Sequence, residues 1–277
     1  MQNTTQKPYA RGSYSKCDES EQWIRLSEGC PNNCEYCRET RECGTEPIYL
    51  TVPSINRNKV KIMDMNLMYK DRAVDTIKWL GNCKVDNKVV YYELICGIDW
   101  RFMTQEKADA LKLNRFVNVR FAWDYELTYQ MKIKDCVSML VKAGYKAKQL
   151  VCFMICDWKI PFEECLMKLN LLKVWNVQVS DCWYDNVTQP NYQCNYWTLE
   201  QCKLFAAMCD LHNQSVIFNG IYPDMKRAER LMNQLKVGGF TQPSAASNEG
   251  IELTLNSIPS EHSTQEVEPL LTQRELS

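Results

Sequence analysis

Three cysteines occur within eight residues of this chain, on one short stretch of sequence. Cys30, Cys34 and Cys37 have the spacing C-x3-C-x2-C, so their thiols belong to a single loop. Iron–sulfur clusters of the four-iron type are held by cysteine thiolates on short loops. Three thiolates leave one iron without a protein ligand, and that iron is then open to a small molecule. The spacing therefore indicates a cluster that also binds a second ligand.

A tyrosine stands directly before the third cysteine, and the complete pattern resembles the signature of the radical S-adenosylmethionine (radical SAM) enzymes. In that family the open iron is chelated by the amino and carboxylate groups of S-adenosylmethionine. One electron from the cluster cleaves this cofactor to methionine and a 5′-deoxyadenosyl radical, which abstracts a hydrogen atom from the substrate. The resemblance implies that Cys30, Cys34 and Cys37 bind the 4Fe-4S cluster and that Tyr36 lies against the adenine.

A structural zinc site is the alternative for the same loop. Cys43 follows Cys37 by six positions, so Cys30, Cys34, Cys37 and Cys43 together can form a closed site of four thiolates. Such sites usually consist of two C-x2-C pairs, which this sequence does not have here. The spacing therefore favours the cluster, and a Cys43→Ala variant distinguishes the two interpretations.

An aspartate follows each of five predicted strands, and the positions are Asp64, Asp99, Asp124, Asp157 and Asp181. Successive members are 35, 25, 33 and 24 residues apart, which is the spacing expected for consecutive βα units. In a parallel barrel the carboxyl ends of the strands open on one face, where cofactor and substrate bind. An aspartate in a βα loop also caps the following helix. We therefore expect capping for some of the five and function for others.

The resemblance assigns cofactor contacts to several residues near these strand ends. Asp64 and Asn66 form an Asp-x-Asn turn at the place where the family holds the amino group of the cofactor, usually with Gly-Gly-Glu. Arg120, beside Asp124, ends the fourth predicted strand, where the family often places polar or charged residues against the ribose and carboxylate. A guanidinium suits a carboxylate, although a surface ion pair is the competing assignment. Ser180 has a similar position on the sixth strand.

Strands alternate with helices of about ten residues along most of the chain, which predicts βαβ units and a parallel sheet. The patterned part is shorter than the roughly 250 residues of a full eight-unit barrel. The predicted fold is therefore α/β, a partial (β/α)6 TIM-like barrel with parallel strands, which the resemblance also implies. The predicted strands are 23–26, 59–63, 89–95, 116–121, 150–155 and one from 177, with a further short strand at 215–218.

Composition divides the chain into three parts. Residues 1–20 are a polar arm, residues 21–240 the core domain, and residues 241–277 an acidic tail with six Glu and one Arg. The tail is rich in Ser, Thr, Gln, Glu and Pro, so we expect it to be disordered. The first 240 residues carry a formal charge of only +4. This charge argues against a dedicated nucleic-acid domain.

The fifteen cysteines are not accompanied by a secretory signal or by an apolar run long enough to span a bilayer. We therefore expect no membrane association and a reducing cytoplasm. A second cluster at Cys182, Cys194, Cys202 and Cys209 is disfavoured, because their spacing is loose.

The resemblance implies a one-electron reductant, such as a flavodoxin or ferredoxin, as a partner. A small metabolite, a nucleoside or a peptide all remain open as the substrate. The alternative that the chain is a glycyl-radical activase, acting on a partner protein, also remains open.

Overall fold

The computed structural model of the chain describes residues 14–37, 43–184, 194, 196–221 and 224–237. The strands in this part are β1 (Tyr14–Cys17), β2 (Gln22–Arg25), β3 (Ser27–Glu28), β4 (Ile48–Tyr49), β5 (Lys59–Ile62), β6 (Lys84–Val85), β7 (Lys88–Val89), β8 (Tyr91–Leu94), β9 (Arg120–Ala122), β10 (Val151–Cys156) and β11 (Gln178–Trp183). The helices are α1 (Ala73–Asn82), α2 (Gln105–Leu113), α3 (Gln130–Lys142), α4 (Phe162–Val174), α5 (Leu199–Ile217) and α6 (Met225–Val237).

Parallel strands follow one another in chain order across the molecule. One sheet has the order β1-β2-β5-β8 and a second has the order β11-β10-β9. Isolated parallel bridges between Tyr92 and Phe116 and between Ile98 and Phe121 place β9 beside β8. The strands β2, β5, β8, β9, β10 and β11 are thus neighbours in sequence order, and all of their pairings are parallel. This confirms the prediction of an α/β fold with parallel strands.

Side chains alternate between two different environments along these strands. One set is fully buried in the main core and includes Val60, Ile62, Tyr92, Phe121 and Cys152. Helices cover this side, as shown by the Tyr92 hydroxyl, which donates to the carbonyl of Leu80 in α1 at 2.6 Å. The other set is only half-buried and contains many of the polar residues, so the sheet has one apolar face and one mixed face.

Helix starts agree with the capping signals in the sequence. The Thr104 side chain accepts from the backbone N–H of Lys107 and caps α2. Thr198 and Gln201 form the predicted capping box at the start of α5, with both reciprocal hydrogen bonds present. These local predictions hold because a cap needs only residues three or four positions apart.

Residues 14–17 of the expected arm form β1, which pairs antiparallel with β2. Three sequence predictions require correction. The fourth strand does not span 116–121, because β9 begins at Arg120, and Arg120 therefore starts this strand instead of ending it. Asp181 lies inside β11 and not after it. The expected strand at 215–218 is the last turn of α5, where Ser215 and Val216 are buried and continue the helix.

No helix in the described ranges is long and apolar enough to cross a membrane. The predicted disordered tail, residues 241–277, lies outside the described residues, as do residues 1–13 of the arm.

Candidate functional site

The cysteine loop begins immediately after the β3 strand. Gly29 precedes the first cysteine with φ at +84°, and a Cβ built on it would lie 2.0 Å from the carbonyl oxygen of Glu46. Only glycine fits here, because the backbone is left-handed and the space is filled. The buried Lys70 side chain donates to the carbonyls of Glu28 and Gly29. The start of the loop is thus fixed from two sides.

Asp64 fastens this region to the end of β5. Its carboxylate accepts the backbone N–H of Leu26 at 2.7 Å and the hydroxyl of Ser27. Burial raises the pKa of Asp64 to about 6, although these hydrogen bonds oppose the shift. Both carboxylate oxygens of Asp64 are therefore engaged by residues that precede the cysteine loop.

Asn66 connects the first cysteine to the third parallel strand. Its side-chain nitrogen lies 3.4 Å from the sulfur of Cys30 and 2.9 Å from a carboxylate oxygen of Asp99. The same oxygen accepts from Asn32, which belongs to the cysteine loop itself. Asp99 is therefore the point at which the loop, the end of β5 and the segment after β8 meet.

A second chain of contacts reaches Cys34. Asp99 pairs with Arg101, whose Nε lies 2.7 Å from the carboxylate. Arg101 donates to the hydroxyl of Tyr125 at 2.6 Å, and that hydroxyl lies 3.3 Å from the Cys34 sulfur. Since Tyr125 follows β9, residues beyond three successive strands contact the cysteine loop, and two of them adjoin the sulfurs of Cys30 and Cys34.

Tyr36 and Asp124 contact each other directly. The Tyr36 hydroxyl donates to Asp124 at 2.9 Å, and the other Asp124 oxygen accepts from the backbone N–H of Ile155 at 3.0 Å. Burial raises the pKa of both groups. The Tyr36 ring packs edge-on against Trp158, with 5.9 Å between centroids, and Trp158 in turn packs on Tyr184. The loop is therefore attached to the carboxyl end of β10.

Arg120 and Ser180 lie on the half-buried face of the sheet instead of at the carboxyl ends of the strands. Arg120 forms an ion pair with Glu93, and its guanidinium lies 5.9 Å from the ring centroid of Phe153. Phe153 is opposite Ser180 in the pairing of β10 with β11. Arg120 and Ser180 therefore both lie beside Phe153. They are separate from the hydrogen-bond network described around the cysteines.

The donor set of the loop can be compared with the two metal groups considered for it. One zinc ion with Zn–S bonds of about 2.3 Å holds its thiolates roughly 3.8 Å apart. In the described part of the chain, only Asp157, Cys194 and Cys202 bring three ligand atoms within 4.8 Å of one another. A side-chain amide adjoins the sulfur of Cys30, and a hydroxyl adjoins that of Cys34. Hydrogen bonds to the sulfurs help to set the reduction potential of an iron–sulfur cluster, so these contacts fit a cluster held by the loop.

Sequence reasoning missed several members of this site, namely Asn32, Lys70, Arg101 and Tyr125. Two of them had a local signal, because Arg101 follows Asp99 by two positions and Tyr125 follows Asp124 directly. Both aspartates were already identified as strand-end residues. The sequence contains no comparable signal for Lys70, whose role depends on the fold of the loop.

Comparison with known proteins adds little to this geometry. No protein-family model matches the sequence, and no curated protein matches it. Among solved structures, the chain resembles the radical S-adenosylmethionine methyltransferase TsrM from Kitasatospora setae, a structure with cobalamin and a 4Fe-4S cluster bound. The TM-score is 0.48 at 10% identity, over 58% of this chain and 36% of the methyltransferase chain. The chain therefore spans just over a third of that protein.

Proposed function

We propose that this chain is a radical SAM enzyme whose 4Fe-4S cluster is bound by Cys30, Cys34 and Cys37. The observation that carries the proposal is the convergence on the cysteine loop of side chains that follow three parallel strands, namely Asn66, Asp99 and Tyr125. Asn66 adjoins the sulfur of Cys30, and Tyr125 adjoins that of Cys34. When bound, the cluster would supply the electron that cleaves S-adenosylmethionine to methionine and a 5′-deoxyadenosyl radical.

The surrounding residues would tune and shield the site. An N–H group directed at a ligating sulfur withdraws electron density and favours the reduced cluster. Asn66 supplies such a group, and Asp99 orients it from the other side. Tyr36, Trp158 and Tyr184 would cover the side towards β10 and restrict the access of water to a radical.

We further propose that the cofactor lies between this network and the half-buried face of the sheet. Tyr36 and Asp124 would border its adenine and ribose, Asn66 its amino group, and Arg120 with Ser180 its more distant polar groups. The six parallel strands would curve around it as an incomplete barrel. Substrate chemistry remains open among small metabolites, nucleosides and peptides, and a flavodoxin or ferredoxin would be the reductant.

Asp64 has two competing roles under this proposal, a direct contact with the cofactor and the support of the loop. Its hydrogen bonds to Leu26 and Ser27 favour support. In Asp64→Ala, a direct contact predicts normal iron content with S-adenosylmethionine bound ten- to hundred-fold more weakly, for about 1.5–3 kcal/mol lost. Support of the loop predicts lower iron content and a lower Tm. Arg120→Ala is the matched variant on the sheet face and should keep its iron.

The cluster itself is tested by anaerobic reconstitution. We expect about four irons and four sulfides per chain, by analogy with other cysteine-held clusters. Replacing Cys30, Cys34 or Cys37 with Ala should abolish this content, whereas Cys43→Ala should retain it. Tightly bound zinc without sulfide, lost in Cys43→Ala, would overturn the proposal in favour of a zinc module. Reductive cleavage of S-adenosylmethionine under dithionite then tests the activity.

A further inference from the structure

A second group of ligand atoms lies beyond the carboxyl end of β10. Asp157 follows that strand directly, and Cys202 lies near the start of α5. A carboxylate oxygen of Asp157 and the sulfurs of Cys194 and Cys202 all lie within 4.8 Å of one another. Asp157 is fully buried and Cys202 nearly so.

The separation of the two sulfurs matches that of two ligands on one ion. Cys194 and Cys202 are 3.7 Å apart. Two thiolates bound tetrahedrally at about 2.3 Å from a zinc ion are roughly 3.8 Å apart. A bound cation would also offset the cost of burying the negative charge of the Asp157 carboxylate beside two sulfurs.

The carboxylate is oriented by the segment that carries one of the cysteines. Asp157 accepts the backbone N–H groups of Tyr196 at 2.7 Å and Trp197 at 2.8 Å. The indole of Trp197 donates to the carbonyl of Ile160 at 3.0 Å. Hydrogen bonds of this kind fix the direction of ligating carboxylates in metal sites. Asp157 is thus held at the end of β10 and Cys202 on the capped helix α5. Cys194 belongs to the segment whose Trp197 is hydrogen-bonded to Ile160.

We propose that Asp157, Cys194 and Cys202 bind one zinc ion. Two thiolates and a carboxylate are ligands that zinc accepts, and three protein ligands leave a fourth position for water or another ligand. The site shares no residue with the cysteine loop and does not depend on the proposed function. It borders the loop nevertheless, because Trp158, which packs on Tyr36, is the next residue after Asp157.

The test uses zinc titration of the full chain and of the same chain with Cys30→Ala, Cys34→Ala and Cys37→Ala, so that zinc at the first loop is not counted. We expect one equivalent in the substituted chain. Cys194→Ser and Cys202→Ser should each abolish it, and Asp157→Asn should weaken it at least about tenfold. Cys209→Ala is the matched control, because Cys209 is a buried cysteine of the same helix outside the group, and it should leave the titration unchanged.

A second measurement does not depend on the folding of any variant at the site. Bound zinc should protect Cys194 and Cys202 from alkylation, whereas the exposed Cys17 should react with or without zinc. Cobalt in place of zinc should give thiolate-to-metal charge-transfer absorption. Failure to bind a stoichiometric ion, or a Cys194–Cys202 disulfide formed on mild oxidation without any zinc protection, would overturn the proposal and identify a redox pair.

Discussion

The side-chain nitrogen of Asn66 lies 3.4 Å from the sulfur of Cys30. Asp99 accepts from the same nitrogen at 2.9 Å, so the amide is held in this orientation. The contact joins the proposed cluster to the end of β5 and lets Asn66 influence the electron density on the Cys30 sulfur.

We expect Asn66→Ala to retain iron but to shift the midpoint potential of the cluster to more negative values. Loss of an N–H donor to a ligating sulfur destabilises the reduced, more electron-rich state. Spectroscopic redox titration of the reconstituted protein measures the shift. Ser138→Ala, which removes an exposed hydrogen bond within α3, should leave the potential unchanged. Equal potentials in the Asn66 variant and the unaltered chain would contradict the assignment.

Two glycines that flank the cysteine loop allow a matched test of its geometry. Gly29 and Gly44 have φ of +84° and +82°, but a Cβ meets the Glu46 carbonyl only at Gly29 and nothing within 4 Å at Gly44. Gly44→Ala should therefore cost only the left-handed backbone strain, about 1–2 kcal/mol. Gly29→Ala should cost on the order of 3 kcal/mol or more and lower the iron content as well. Chemical denaturation and iron analysis compare the two, and equal losses would be inconsistent with the clash.

Lys168 is fully buried in α4, and its ammonium has no hydrogen-bond partner in the described part of the chain. The Glu164 carboxylate is 3.9 Å away, and the ring centroid of Trp123 is 5.6 Å away. Burial raises the pKa of Asp124 and the Lys168 ammonium opposes this shift, so removal of the ammonium leaves the carboxylates of Glu164 and Asp124 without this cation. We expect Lys168→Met to lower the free energy of unfolding by about 3 kcal/mol. The control is Lys132→Met on the exposed face of α3, which should change it by less than about 0.5 kcal/mol.

The pH dependence of stability should contain two opposing contributions. Burial lowers the pKa of His212 to about 4, and its Nε2 lies 2.7 Å from the carbonyl of Val177. Between pH 6.5 and 4 the unfolded chain takes up a proton there and the folded chain does not, so stability is lost as the pH falls. Asp64, with a folded pKa of about 6, takes up its proton first in the folded state and so favours folding as the pH falls.

Variants separate these contributions. The measured quantity is the free energy of unfolding of each variant minus that of the unaltered chain. As the pH falls from 7 to 4, this difference should rise by about 3 kcal/mol for His212→Gln and fall by about the same amount for Asp64→Asn. Urea unfolding at several pH values measures both differences. Parallel curves for either variant and the unaltered chain would show that the residue concerned has a similar pKa in the folded and unfolded states.

What the sequence by itself determined was local. The C-x3-C-x2-C spacing, the capping box at Thr198 and Gln201, and the alternation of strands and helices each depend on residues a few positions apart. Such patterns reflect backbone geometry and side-chain periodicity, so they survive without knowledge of the fold. They were sufficient to predict an α/β fold with parallel strands and to place Asp124 after a strand, whereas the role expected for Tyr36 came from the family resemblance.

The tertiary structure decided which of these residues meet. Asn32 contacts Asp99 across 67 positions, and Cys34 contacts Tyr125 across 91. These pairs depend on strand register and on the course of loops, which no periodicity encodes. Because β9 begins at Arg120, this residue lies at the amino end of its strand instead of the predicted carboxyl end, and there it pairs with Glu93. The contact of Asp64 is also tertiary. Its carboxylate accepts the backbone N–H of Leu26, and the sequence did not show that these two residues are adjacent.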